Sequence, residues 1–408
     1  MSDGEEEVIG PMPGAPEEEA QRETKEEAVK KVSKKRKRDD ALPDFSAPHQ
    51  PLYVAHLPSS ASYERSYMHR DVVTFVAITH FDYIATASYD GHLKFWRKQE
   101  EGIEFLKHFR AHLGPITGLA LVERTHRYLA TIAADQYLKV FDVQQVDMIN
   151  MISLDFMPKA VCWLWDSEAA QARVAVYFFI SIILGRTEAK GWCRSQEESP
   201  AIHLFDGKGE SSTPLETLST IHRHPVKLMA YQPLNHSVVS IDEEGMMEYW
   251  SAEAPFGMPK KGVSWSYKSD TSLYDFKKQK QSPDCITFNH RYTHFATMGI
   301  KDRIVRVWDY SSGKVIRKYD ESLQTAGEMQ QAGTSHVALD NMEFGRRVAN
   351  ENDMERVMAK PISEAPPSVH VNCLWDESDH FLIYPTLIGI KGLSLSSYSK
   401  SWKSERWL

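Results

Sequence analysis

Cysteine is scarce in this chain of 408 residues. Cys162, Cys193, Cys285 and Cys373 stand far apart and no CxxC pair occurs. Such spacing argues against a disulfide framework or a zinc site and suits a reducing compartment. The apolar stretch Val174 to Leu184 is too short to span a bilayer, which needs ~20 residues, so no membrane partner is expected. The opening residues are acidic where a secretory signal would be basic and then apolar, so no export is expected. A net charge of −8 gives no overall pull toward nucleic acid. Familiar constellations of catalysis are missing too. There is no GxxxxGK[ST], no HExxH, no nucleophile elbow, and no carboxylate pair at helical spacing in an apolar setting. These absences predict no catalytic residue, cofactor, metal or small-molecule substrate, and therefore a chain that is not an enzyme.

What the chain does have is a recurring turn. Ser88 to Trp96 reads SYDGHLKFW, with Asp90 six positions before Trp96. The spacing returns at Asp135 and Phe141, at Glu244 and Trp250, and at Asp302 and Trp308, the last followed by Asp309. His69, His112 and His222 each precede a β-branched residue by four positions, and stand 21, 23 and 22 residues before Asp90, Asp135 and Glu244. The segments between are alternating and β-branched, such as Tyr128 to Asp135, and read as strands. The aromatic ends, Trp96, Phe141, Phe205, Trp250 and Trp308, lie 45, 64, 45 and 58 positions apart. Two of those intervals match the roughly 40–45 residues of a four-stranded propeller blade.

The pattern resembles the WD-repeat family, whose Trp-Asp signature stands at Trp308–Asp309. The resemblance implies an all-β propeller. It also implies that histidine, turn acid and tryptophan form a structural hydrogen-bond network, with no catalytic part. More specific strings are LPSSASYERSYMHRDVV, KVFDVQQVDMINM, DESLQ and NMEFGRR. Over about 52–176 and 199–391 they resemble the nuclear peptidyl-prolyl isomerases that carry N-terminal WD repeats and a C-terminal cyclophilin domain. That family implies a nuclear scaffold bound to spliceosomal proteins in pre-mRNA splicing. The cyclophilin arginine and its aromatic neighbours have no counterpart here, so the resemblance implies isomerisation for full-length members only. Two other readings remain: an isomerase fragment, and a substrate receptor of a ubiquitin ligase. Against the latter, Ser311 and Ser312 follow Tyr310, where such receptors carry Arg or Lys.

The domain plan follows. Residues 1–50 hold single-charge runs and few large apolar residues, and are expected to be disordered. Within them Lys30, Lys31, Lys34, Lys35, Arg36, Lys37 and Arg38 form a dense basic run that reads as a nuclear import signal, the bland alternative being a solvated charge run. No aromatic is interleaved with it to stack on bases, so no direct nucleic-acid site is expected. Residues 51–391 are expected to form an incomplete propeller of five blades and part of a sixth. An apolar insertion is expected at 177–198, an excursion at 251–281 and a helical insert at 321–360. Arg346 and Arg347 in that insert are either a docking surface or a solvated helix face. After Lys391 the alternation fails, and 392–408 reads as an aberrant tail. An arc with unpaired end faces is expected to be poorly soluble.

Overall fold

The computed structural model describes residues 52, 68–100, 102–164, 172–178, 200–209, 211–333, 339–358, 371–395 and 405–407. All belong to one compact unit, Ser46–Leu408. The basic run, the rest of 1–50 and most of 177–198 lie outside the described residues; Tyr177 and Phe178 end a strand.

Six antiparallel sheets follow one another along the chain, each a meander. Blade 1 is β1 (Val73–Ile78), β2 (Tyr83–Ser88), β3 (His92–Lys98) and β4 (Ile103–Arg110). Blade 2 is β5 (Ile116–Leu121), β6 (Tyr128–Ala133), β7 (Tyr137–Asp142) and β8 (Asp147–Ser153). Blade 3 is β9 (Pro158–Trp163), β10 (Arg173–Phe178), β11 (Ile202–Asp206) and β12 (Glu216–Leu218). Blade 4 has three strands among the described residues, β13 (Val226–Gln232), β14 (Ser237–Asp242) and β15 (Met247–Ser251). Blade 5 is β16 (Cys285–Phe288), β17 (His294–Met298), β18 (Ile304–Asp309) and β19 (Lys314–Asp320). Blade 6 is β20 (Leu374–Trp375), β21 (Phe381–Pro385), β22 (Ile390–Ser394) and β23 (Glu405–Trp407). The chain is an all-β propeller of six blades with few helices.

The expected partial sixth blade is thus corrected to four strands. β22 runs on through Gly392 to Ser394 and pairs with β23, Lys391 opposite Trp407 and Leu393 opposite Glu405. Residues 392–394 and 405–407 therefore belong to a sheet, not to a tail. Alternation does continue, in Leu393 and Leu395, which are buried. The small Gly392 and Ser394 conceal it.

The seams from blade 1 through blade 5 are apolar cores. Leu93, Phe95, Ile116, Leu129 and Phe141 fill the seam between blades 1 and 2. Trp163, Val174 and Phe205 meet Ile132 and Val140 at the next. The excursion after β15 is packed as well. Trp265 lies against Tyr249, and a short helix, α1 (Asp275–Gln279), sends Phe276 against Trp308. Glycine matters most at the β2–β3 turn. Gly91 has φ +83, and any Cβ there would strike the carbonyl of His112, the residue whose N–H donates to the Gly91 carbonyl.

Among the described residues, one face stays uncovered. On β1, Phe75 and Ala77 pack toward blade 2, while the alternate residues Val76 and Ile78 are 59% and 63% exposed. The inner strands of blades 2 to 5 show no such stripe.

Between blades 5 and 6 run two helices, α2 (Leu323–Ala332) and α3 (Asn341–Met358). Ser322 caps α2 by accepting from Thr325 N, and Gly333 ends it at φ +65.

Candidate functional site

The polar network is best developed in blade 2. His112 sits in the loop before β5 and Asp135 in the β6–β7 turn. The carboxylate can only accept, so His112 Nδ1–H donates to it, at 3.0 and 3.1 Å to its two oxygens. Nε2 is then the acceptor, and Thr131 Oγ1 donates to it at 2.9 Å. Asp135 also accepts from Leu113 N at 3.0 Å and Tyr137 N at 3.3 Å. Burial keeps His112 below the ordinary imidazole range even beside this carboxylate. Phe141 offers no indole N–H and packs instead against Phe95 and Phe109.

Blades 1 and 4 carry a shorter relay. His69 Nε2 meets Thr86 Oγ1 at 2.7 Å, and Trp96 Nε1–H donates to the same oxygen at 2.8 Å. Asp90 bonds His92 N at 3.2 Å, and no hydrogen bond joins it to His69, whose Nδ1 is buried without a partner. In blade 4, His222 Nε2 meets Ser240 Oγ at 2.6 Å, and Trp250 Nε1–H donates to that oxygen at 3.1 Å. The carboxylate facing His222 is Asp242, 3.6 Å from Nδ1, and not Glu244. Glu244 points to solvent and meets His224 at 3.2 Å and Lys277 at 3.4 Å.

Blade 5 has no histidine in this role. Trp308 Nε1–H donates to Thr297 Oγ1 at 2.9 Å. Asp302 instead pairs with Arg306 at 2.6 Å; that guanidinium is fully buried, bonded to Gln279 and set over Phe276. Asp309 closes the next hairpin, accepting from Ser311 N, Ser312 N and Ser312 Oγ. The hydroxyls Thr86, Thr131, Ser240 and Thr297 escaped the sequence reading. Their signal was present: in blades 1, 4 and 5 the hydroxyl stands ten or eleven positions before the tryptophan.

This network holds two rims of loops. On the rim formed by the turns between second and third strands, α3 is pinned across blades 5 and 6. Arg303 of the β17–β18 turn meets Glu351 and Glu355, each at 3.0 Å. Arg347 donates to Leu387 O and Ile388 O in the β21–β22 turn, at 3.4 and 2.6 Å. Below them Glu321 accepts from Tyr384 and Lys391. Arg347 is thus a structural tether, whereas Arg346 and Met342 face outward, Met342 82% exposed.

On the opposite rim Tyr292 of blade 5 donates to Glu123 of blade 2 at 2.9 Å. His126 stacks on His80 of blade 1, centroids 3.9 Å apart. Asp379 of blade 6 accepts from Asn289, His290 and Arg291 of blade 5. Burial raises the Glu123 carboxyl. Burial, then His80 and His290, lower His126 to about 4. Among the described residues, no three His, Cys, Asp or Glu side chains are grouped to hold a metal, and no helix is long and apolar enough to cross a membrane.

The WD domain, G-beta repeat, model matches residues 64–97, which cover His69, Asp90 and Trp96. Peptidyl-prolyl cis-trans isomerase cyp15 of Rhizopus delemar is 44% identical over 84% of this chain and 50% of its own length. The peptidylprolyl isomerase domain and WD repeat-containing protein 1 of Homo sapiens is 39% identical over 85% of this chain and 49% of its own. Peptidyl-prolyl cis-trans isomerase CYP71 of Arabidopsis thaliana is 38% identical, with shares of 84% and 50%. This is a WD-repeat protein whose homologues are peptidyl-prolyl isomerases. The chain spans about half the length of the curated relatives it matches.

Those names overturn the expectation that the chain is not an enzyme: its relatives form an enzymatic family. The missing motifs were a poor guide for a chemical reason. Turning a prolyl peptide bond means rotation about a partial double bond, with a barrier of ~18–20 kcal/mol, and requires no nucleophile, metal or phosphate loop.

Proposed function

We propose that this WD-repeat propeller is the partner-holding module of a peptidyl-prolyl isomerase, and that it works in the nucleus as a scaffold on spliceosomal proteins. The observation that carries the scaffold reading is the pinning of α3. A helix fixed by Arg303 and Arg347 to two different blades presents a preformed surface on a rigid support, and binding to such a surface forfeits little ordering entropy. The names of the relatives supply the isomerase, and the basic run Lys30–Arg38 supports nuclear entry. The module would bring isomerase activity to proline-bearing segments of its partners.

The test is sedimentation of the full chain with splicing complexes assembled in nuclear extract. Co-migration that is lost in the Arg303→Ala, Arg347→Ala double variant is the expected result. A folded wild-type chain that stays at the top of the gradient would remove the scaffold reading. Nuclear entry is tested separately with a fluorescent fusion in which Lys34, Lys35, Arg36, Lys37 and Arg38 are replaced by alanine. Unchanged nuclear accumulation would take that role from the run.

A further inference from the structure

Two of the cysteines, remote in sequence, meet at the seam between blades 5 and 6. Cys285 is the first residue of β16, and Cys373 lies immediately before β20. Thr287, two positions after Cys285 and so on the same face of β16, donates from Oγ1 to Cys373 O at 2.7 Å and lies 3.6 Å from Cys373 Sγ. Cys285 shares that face of β16, so the two thiols face each other across the seam and each perturbs the other's titration. Both are buried and both are free. The blades share no strand ladder here; the contact is side chain to backbone, and Trp375 Nε1 donates across it to Thr287 O at 3.2 Å.

We propose that Cys285 and Cys373 form a redox modification site: a thiol pair that a peroxide closes into a disulfide stapling the inner strand of blade 5 to that of blade 6. The chemistry balances with hydrogen peroxide as the oxidant. The Cys285 thiolate attacks one peroxide oxygen, the O–O bond breaks, and water leaves with Cys285 as a sulfenic acid. The Cys373 sulfur then attacks the Cys285 sulfur, the S–O bond breaks, and a second water leaves. The two sulfurs together lose two electrons to the peroxide.

The order of attack follows from their surroundings. Cys285 is the less deeply buried of the two, and the neighbouring Cys373 thiol holds it below the ordinary range, while Cys373 is fully buried and is pushed up. Cys285 is therefore the attacking sulfur and Cys373 the resolving one. Cys162 is the internal contrast. It is buried in blade 3, its thiol is pushed up to about 12, chiefly by burial, and it has no thiol partner among the described residues.

Burial makes the reaction slow, since peroxide reaches the seam only when blade 6 moves away from blade 5. The staple then has a mechanical consequence. The loop it closes contains the outer strands of blade 5 and both α2 and α3, so oxidation would hold blade 6 and the pinned helix in place. Closing so long a loop is expected to raise the thermal midpoint of the oxidised chain by about 5 °C.

The experiment uses the full chain, incubated with millimolar hydrogen peroxide and then quenched by alkylation in denaturant. Non-reducing peptide mapping should find one intramolecular Cys285–Cys373 cross-link, two thiols lost per chain, and full reversal by dithiothreitol. Cys162→Ser should leave the yield unchanged. Cys285→Ser and Cys373→Ser should each abolish the cross-link, with circular dichroism confirming that each variant is folded. Should either variant fail to fold, the wild-type map and its midpoint shift decide alone. Four surviving thiols would overturn the proposal. So would a disulfide to Cys193 or to another chain, or Cys285 carried to sulfinic acid with Cys373 still reduced.

Discussion

Replacing Asp135 with alanine should cost far more than replacing Glu244, although both residues stand six positions before an aromatic strand end. Asp135 holds a histidine whose side chain is fully buried, and its own side chain is only 10% exposed. Without the carboxylate, His112 Nδ1–H has no acceptor, and a buried unsatisfied donor costs about 1–3 kcal/mol. Leu113 N and Tyr137 N lose an acceptor as well. Leu113 is exposed, so water replaces much of that loss, at about 0.5 kcal/mol for each. The sum is about 2–4 kcal/mol, and the Thr131–His112 bond loosens with it. Glu244, 49% exposed and paired only with surface groups, should cost about 0.5 kcal/mol or less.

Asp135→Asn is the informative control. Its amide oxygen can still accept from His112, so most of the loss should return, leaving about 1 kcal/mol. The assay is urea denaturation followed by tryptophan fluorescence, with midpoints compared at equal slope. Equal midpoints for Asp135→Ala and Glu244→Ala would refute the assignment of the buried acid. An Asn variant as damaged as the Ala variant would show that charge, rather than acceptance of a hydrogen bond, is what His112 requires.

Tyr292→Phe removes the bond joining blades 2 and 5 and should lower stability by about 1–2 kcal/mol, with a double-mutant cycle against Glu123→Gln showing coupling; additive losses would break the link. Acid should weaken the fold before carboxylates titrate. His69, His112, His126, His203 and His294 are all held below the usual imidazole value, mainly by burial. A depressed basic group stabilises fully above its unfolded pKa and loses that contribution as pH falls below it; from 6.5 to about 4, and discounted for the screening of a half-buried ring, His126 alone loses about 1 kcal/mol by pH 5. Glu123, raised by burial, acts in the opposite sense. A urea midpoint at pH 5.0 equal to that at pH 7.5 would refute the buried-histidine account. Arg303→Ala should free α3 and speed proteolysis within 339–358 about tenfold for each ~1.4 kcal/mol lost, and unchanged cleavage would show that other contacts hold the helix. Val76→Lys with Ile78→Lys should leave the melting point nearly unchanged and reduce self-association in sedimentation velocity; a large destabilisation would show that the β1 face is covered in solution.

The fold was legible because its signals are local. Alternation, turn acids and terminal aromatics each lie within one strand pair, and five blades and the start of a sixth follow from them. Pairing across turns was less legible. The six-residue spacing selected Glu244, yet β14 continues to Asp242, which places a carboxylate at the strand end facing His222. In blade 2 the strand stops at Ala133, two residues short of Asp135. Both strands have six residues and end at equivalent points; blade 4 carries its inward acid on the last strand residue and blade 2 carries it two positions later, in the turn, and spacing to the next aromatic does not record which. The completion of the sixth blade was missed for another reason: Gly392 and Ser394 contribute no bulk, and the closing strand lies beyond a gap in the pattern. The cross-rim contacts of Glu123, Tyr292 and Asp379 join residues far apart in the chain, so no local pattern announces them.

The element shared by the relays of blades 1, 2, 4 and 5 is the hydroxyl on the second strand rather than the acid, the histidine or the tryptophan. Thr86, Thr131, Ser240 and Thr297 are all fully buried or nearly so, and each would be an orphan without a partner. Blades 1 and 4 satisfy it from both sides, with histidine and indole. Blade 2 has lost the indole and keeps the histidine, now oriented by a bonded carboxylate. Blade 5 has lost the histidine and keeps the indole, and its turn acid, released from that duty, neutralises a buried arginine. Each departure from the repeat therefore leaves the hydroxyl at least one partner. That follows if the hydroxyl ties the second strand to whatever lies beside it, and the cost of a buried unsatisfied oxygen, about 1–3 kcal/mol, is large enough to enforce it blade by blade. The acid is then free to vary, which is why the turn acids mark the repeats although only Asp135 bonds its histidine, while Asp90, Glu244 and Asp302 do not.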